Sequence, residues 1–154
     1  MEKPINNSQK AMIDTVMARQ AFGTIEGVRD PTLLSPLVLA YVGDTVFDLY
    51  VRTGLVFSTD LIAHGLHMAA AKRVCASAQA AAYKKVSDML TEEETAVFKR
   101  GRNAHIGTVP KNAAIGDYRA ATGLEAVVGW LYLRGDDARL NELMKTMFEP
   151  DPTN

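Results

Sequence analysis

Three carboxylates stand where the sequence otherwise asks for apolar side chains. Asp44 and Asp48 lie within LAYVGDTVFDLYVR, Leu39 to Arg52, and Glu125 lies within YRAATGLEAVVGWLYL, Tyr118 to Leu133. A carboxylate on an otherwise buried helix is costly to desolvate unless it is paired or hydrogen-bonded. Asp44 and Asp48 are four residues apart, so they share a helical face. If the two helices pack together, their acids point at one spot. Two carboxylates that close repel, and one pKa rises unless a cation bridges them. A hard divalent ion such as Mg²⁺ suits the place, because it takes one or two carboxylates and completes its oxygen shell with waters and substrate phosphates. Such an ion polarises a phosphodiester and acidifies an attacking water. The plainer alternative pairs each acid with an arginine or a free helix end. The glycines weigh against it: Gly43 precedes Asp44, while Gly123 and Gly129 flank Glu125. A helical glycine costs roughly 1 kcal/mol against alanine and marks close approach of a backbone or ligand.

Other chemistries find less support. One cysteine, Cys75, and three scattered histidines, His64, His67 and His105, do not make a four-ligand zinc set. Cys75 sits in an alanine-rich stretch with no base beside it and reads as a small core residue. The basic residues are more informative. Between Lys99 and Arg119 stand Lys99, Arg100, Arg102, Lys111 and Arg119 against a single acid, Asp117. With Asn103 and Asn112 they form a donor-rich segment leading into the Glu125 helix. Contacts of this kind position a nucleic-acid backbone without reading its sequence. Lys72 and Arg73 could extend the patch.

The elements that must position these groups are helical. Apolar residues recur with a 3.6-residue period, and alternating β-branched runs are nearly absent. Ser35-Pro36 is a cap and first-turn pair for a helix expected to stop at Gly54. Thr59-Asp60 could open a short helix, and a long one is expected from about Leu66 to Leu90. Thr91 and Glu94 have the spacing of a capping box for a helix to about Arg102. Residues 101–116 read as a loop, the Glu125 helix follows to about Leu133, and Gly135-Asp136 separates it from a last amphipathic helix to about Met147. The expectation is an all-α domain of six or seven helices over residues 31–148. An N-terminal extension over 1–30, with a short amphipathic helix around Ile13 to Met17, precedes it, and a frayed tail over 149–154 follows.

At 154 residues, 47% hydrophobic, 23% charged and net charge −1, the chain suits one globular domain that buries a core without disulfides or structural metal. It is not a generally cationic binder, so any anion-binding surface is local. No apolar run is long enough to span a membrane. The N-terminus lacks the apolar core of a signal peptide, and a reduced cytoplasmic setting is expected.

At these residues the chain resembles the ribonuclease III family. LAYVGDTVFDLYVR is similar to that family's signature helix, and YRAATGLEAVVGWLYL to its second catalytic helix. KRGRNA at 99–104, VPKNA at 109–113 and YRAATGLEA at 118–126 resemble the short bacterial form, Mini-ribonuclease III, which has the catalytic domain without a double-stranded-RNA-binding domain. The resemblance covers roughly residues 31–148 and implies an all-helical homodimeric endonuclease cutting double-stranded RNA. It also implies Mg²⁺ as the cofactor, with Mn²⁺ able to substitute. The implied substrate is the precursor of large-subunit (23S) ribosomal RNA, with a large-subunit ribosomal protein as a possible helper.

Carried onto this chain, the resemblance makes Asp44 and Glu125 the catalytic, metal-binding residues and Asp48 an outer-shell group. Lys99, Arg100, Arg102, Asn103, Lys111, Asn112 and Arg119 become RNA contacts. The chain departs from the classical pattern at Ala40 and Thr122, where the family carries further carboxylates. The implied site is pared down, with one well-held ion, and leans on waters and RNA phosphates. The same departures support an alternative: a non-catalytic helical module that binds RNA or the ribosome.

Overall fold

Ser35 accepts a hydrogen bond from the Val38 N–H at 3.3 Å, and Pro36 takes the first helical position, so the chain enters helix α1, Pro36–Ser58, as its cap residues dictate. The computed structural model describes Arg19, residues 30–104 and residues 114–152. The described residues form six α-helices and two 3₁₀ turns, Pro31–Leu33 and Ser87–Met89. After α1 come α2, Ala63–Val74; α3, Ala76–Val86; α4, Glu92–Arg102; α5, Ile115–Arg134; and α6, Asp137–Met147. No strand occurs among the described residues.

Helix α5 is the axis. It is buried from Ala121 to Leu124 and again from Ala126 to Leu131, as a helix that is apolar all round must be. Helices α1, α3, α4 and α6 pack around it. The core joins Leu39, Phe47, Val51 and Leu55 of α1 to Leu124, Val127 and Leu131 of α5, with Leu140 and Leu143 of α6 closing one end. No described helix is long and apolar enough to cross a membrane.

Several boundaries follow the sequence closely. Thr91 accepts from the Glu94 N–H at 3.1 Å while Glu94 accepts from the Thr91 N–H at 3.0 Å, completing the expected capping box. Gly135 ends α5 in the left-handed conformation at φ 75°, where a side chain would be strained.

Three boundaries differ. Helix α1 passes through Gly54 and ends at Ser58, because Leu55 is a core residue that the continuing helix buries beside Val51. Thr59 caps the end of α1, its hydroxyl donating to the Leu55 carbonyl at 2.8 Å, and the next helix starts later, at Ala63. The expected long helix is broken at Cys75, whose extended backbone (φ −68°, ψ 159°) separates α2 from α3. Cys75 is consequently exposed at the break, not part of the core.

The N-terminal helix expected around Ile13 lies outside the described residues. Arg19 is described: it pairs with Asp137 at 2.6 Å, donates to the Tyr132 carbonyl at 2.8 Å and lies over the Tyr132 ring. At the other end, Lys85 donates to the Glu149 carbonyl at 2.8 Å and pairs with Asp151 at 3.0 Å.

Candidate active site

The two acid-bearing helices meet at their glycines. A Cβ on Gly43 would stand 1.7 Å from the backbone oxygen of Glu125, and one on Gly129 would stand 1.9 Å from the backbone oxygen of Leu39. No side chain fits at either position, so α1 and α5 cross backbone to backbone. The contact sets the acids: Asp44 is the residue after Gly43, and the Gly43 contact is with the peptide of Glu125 itself. Gly101 lets α4 pack closely on α5 as well, though less tightly, its added Cβ falling 2.9 Å from the Gly123 Cα.

Asp44 and Glu125 line one cleft of ≈ 670 Å³, together with Gln79, Tyr118 and Thr122, and they also line an adjoining crevice of ≈ 240 Å³ that includes Ala40 and Tyr41. Burial first, and then the facing Asp44 carboxylate, push the Glu125 carboxyl up to about 7. The Gln79 side chain pulls the other way, favouring the charged form. Its Nε2 nonetheless makes no hydrogen bond of good geometry among the described residues.

A carboxyl whose ionisation is disfavoured by burial and then by a facing carboxylate is a group that a divalent cation would ionise. The donor set fits a hard ion: two carboxylate oxygens from crossing helices, room for water, and no thiolate or imidazole within the described lining except the rim thiol of Cys75. No group of three or more potential metal-ligating side chains occurs among the described residues. Asp117 also lines the larger cavity, so the pair is the carboxylate set that the helix crossing itself supplies, with no further acid at Ala40 or Thr122. Both of those positions line the site. The Thr122 hydroxyl is turned onto its own helix, donating to the Tyr118 carbonyl at 3.0 Å.

The other expected site residues divide. Asp48 is not among the residues lining either cavity. Its carboxylate accepts from Arg52 Nε with both oxygens at 3.0 Å, so the i,i+4 ion pair, not an outer metal shell, is what the geometry arranges. Arg100 is drawn away from the cleft: it donates to the Leu34 carbonyl at 3.1 Å and lines a separate hollow with Trp130 and Arg134. Lys99 is exposed in the last turn of α4, Arg102 reaches Asn103 at 3.3 Å, and Arg119 is exposed one residue beyond Tyr118. Lys111 and Asn112 lie outside the described residues.

Sequence reasoning missed Gln79 and Tyr118 as site residues. Tyr118 lines both cavities, and Gln79 is 2% exposed within the larger one. For Gln79 the available signal was a lone amide in an otherwise small and apolar run, ASAQAAA.

The family model for the ribonuclease III domain matches residues 37–136, which include both carboxylates and the helix crossing. The chain is similar to the Mini-ribonuclease 3 of Clostridium tetani, 45% identical over 118 residues, covering 76% of this chain and 78% of that one. It is also 45% identical to the Mini-ribonuclease 3 of Brevibacillus brevis over 123 residues, covering 80% of this chain and 92% of the relative. A crystal structure of a Fusobacterium nucleatum protein superposes with a TM-score of 0.70 at 29% identity, covering 77% of this chain and 94% of that one. A family model over most of the helical core, relatives matched over most of their own lengths and a shared fold together mean that this chain belongs to the ribonuclease III family, in its Mini-ribonuclease 3 group, and is an endoribonuclease.

Proposed function

We propose that the chain cleaves double-stranded RNA with a divalent cation held between Asp44 and Glu125, Mg²⁺ by preference and Mn²⁺ as a substitute. The observation that carries this reading is the glycine crossing, which brings two carboxylates from different helices into one cleft and leaves Glu125 titrating near 7. When bound there, the cation supplies Lewis-acid polarisation of a phosphodiester and a more acidic attacking water. Asp44 and Glu125 present the oxygens. Tyr118 and Thr122 wall the space between them, and the small side chains at 40 and 122 leave coordination positions to water and RNA phosphate. Lys99, Arg102, Asn103 and Arg119 are assigned to phosphate contacts, with Lys111 and Asn112 in the segment that joins α4 to α5.

The active form is a homodimer. The outer face of α1 supports it: Tyr41 is 80% exposed, Leu49 63% and Val56 58%, and with Leu37 they form an apolar band running past the site. Residues 31–148 act as the catalytic domain, and residues 1–30 are an appendage to it. The substrate is the precursor of 23S ribosomal RNA in the cytoplasm, with a large-subunit ribosomal protein able to present it. Membership in the Mini-ribonuclease 3 group is the support for that target.

The test is cleavage of matched duplex and single-stranded RNA with Mg²⁺, with Mn²⁺ and with chelator, by the native chain and by Asp44→Asn and Glu125→Gln. The duplex is cut only with metal, and each substitution slows cleavage on the order of 10³-fold. Full activity in either variant would refute the assignment.

A further inference from the structure

The cleft has a second wall that the carboxylate pair does not use. It is the start of α3, where Cys75, Ala76, Ser77 and Gln79 face the same space as Asp44 and Glu125. Helix α3 starts without a side-chain cap. The Gln79 N–H bonds the Cys75 carbonyl at 3.0 Å, which leaves the N–H groups of Ala76, Ser77 and Ala78 outside the helix ladder, that of Ala78 turned toward the Cys75 thiol. Such a turn, at the positive end of an 11-residue helix, favours an anion.

Gln79 makes this more than a helix end. Gln79 is 2% exposed, and its Nε2 has no hydrogen-bond partner of good geometry among the described residues. An unpaired buried donor is destabilising. Here the donor lines the cleft, so an acceptor entering the cleft would satisfy it. The local electrostatics agree. The Cys75 thiol, at the same turn, is held below its usual pKa, first by the Ser77 hydroxyl and then by the Ala78 N–H. Lys72 and Arg73 stand exposed in the last turn of α2, immediately before the break. A substrate phosphate must approach two carboxylates here, and Asp117 lines the cleft as well. Donors on the α3 wall offset that repulsion.

We propose, resting on the reading of the chain as a duplex-cutting enzyme, that the first turn of α3 together with Gln79 is a phosphate subsite beside the carboxylate pair. Gln79 Nε2 and the N–H groups around Ser77 hold a non-bridging oxygen of the RNA strand. The Gln79 amide carries two hydrogens, so it can serve the phosphate while still facing Glu125. The subsite supplies from neutral donors what the thin carboxylate set cannot: a fixed position for the RNA backbone before and during cleavage.

Gln79→Leu tests this, because it keeps the bulk and removes the donor. The variant melts no lower than the native protein, since the unpaired donor is gone. Its affinity for a short duplex RNA in chelator falls roughly 10-fold, as loss of a hydrogen bond to a charged group implies, and single-turnover cleavage in Mg²⁺ falls at least as far. Phosphorothioate interference gives the readout that a structural role would not move. One phosphate at which sulfur weakens native binding loses its effect in Gln79→Leu. Should Gln79→Leu fail to fold, Gln79→Met, unbranched like glutamine and equally without the donor, carries the same interference measurement. A folded Gln79→Leu that binds and cleaves like the native chain, or a variant with an unchanged interference pattern, overturns the subsite. A native protein that neither binds nor cuts duplex RNA overturns the functional reading itself, so the two failures are distinguishable.

Discussion

Glu125 is the residue on which the site turns. Its carboxyl rises from 4.5 to about 7 because burial and the Asp44 charge both disfavour ionisation. The sign of the stability effect follows. In the folded, metal-free protein Glu125 keeps its proton until about pH 7, whereas the unfolded chain releases it near 4.5. Between those values the folded state binds more protons, so its stability falls as pH rises, by at most on the order of 3 kcal/mol. Chemical denaturation of the chelated protein at pH 5 and pH 8 will show this loss, and Glu125→Gln will lack it. A slope that survives in Glu125→Gln would assign the effect elsewhere. Mg²⁺ added at pH 8 restores stability to the native chain only, because it binds the ionised pair.

At the scale of elements, the glycines do unequal things. Gly43→Ala puts a methyl group 1.7 Å from the Glu125 carbonyl oxygen, which neither backbone can accommodate, whereas an added Cβ at Gly54 meets nothing within 4 Å. Thermal or urea unfolding should therefore show Gly43→Ala destabilised by roughly 4 kcal/mol or more. Gly54→Ala, on exposed helix, should be stabilised by about 0.5–1 kcal/mol. The sequence marks Gly43 as a point of close approach, which the crossing bears out, and Gly54 as a stop, which α1 overruns. It did expose what local chemistry decides: the Ser35-Pro36 start, the Thr91–Glu94 capping box and the Gly135 stop. It hid what packing decides. The Cys75 break falls in a run with no glycine or proline to mark it, and α1 outruns Gly54 because Leu55 has a core to enter. The acids were legible because they interrupt apolar helices. Gln79 and Tyr118 were not, because their place depends on which helices converge. Arg100, inside a basic run, is claimed by the Leu34 carbonyl for the same reason.

For the whole molecule, the proposed homodimer through the apolar band on α1 and the modest charge together set the expectation for RNA binding. A chain with net charge −1 holds a polyanion through local patches, so its affinity is steeply salt-dependent. A homodimer doubles those patches. Leu49→Lys, on the exposed band and away from the cleft lining, will convert the dimer to monomers in sedimentation velocity while leaving the helical content intact. Duplex cleavage by the monomer will fall at least as far as its RNA affinity. A native chain that sediments as a monomer at all concentrations would remove the dimer from the account.

Asp44 and Glu125, brought together at the Gly43–Gly129 crossing, are proposed to hold one cation as a unit. Single-turnover cleavage of a duplex RNA in Mg²⁺ by the native chain, Asp44→Asn, Glu125→Gln and the double variant tests it most directly. Groups that act as a unit are strongly non-additive. Each single substitution is expected to remove nearly all of the catalysis, and the double variant to be no slower than the slower single. Losses that multiply in the double variant, or a single variant that retains native activity, would contradict it.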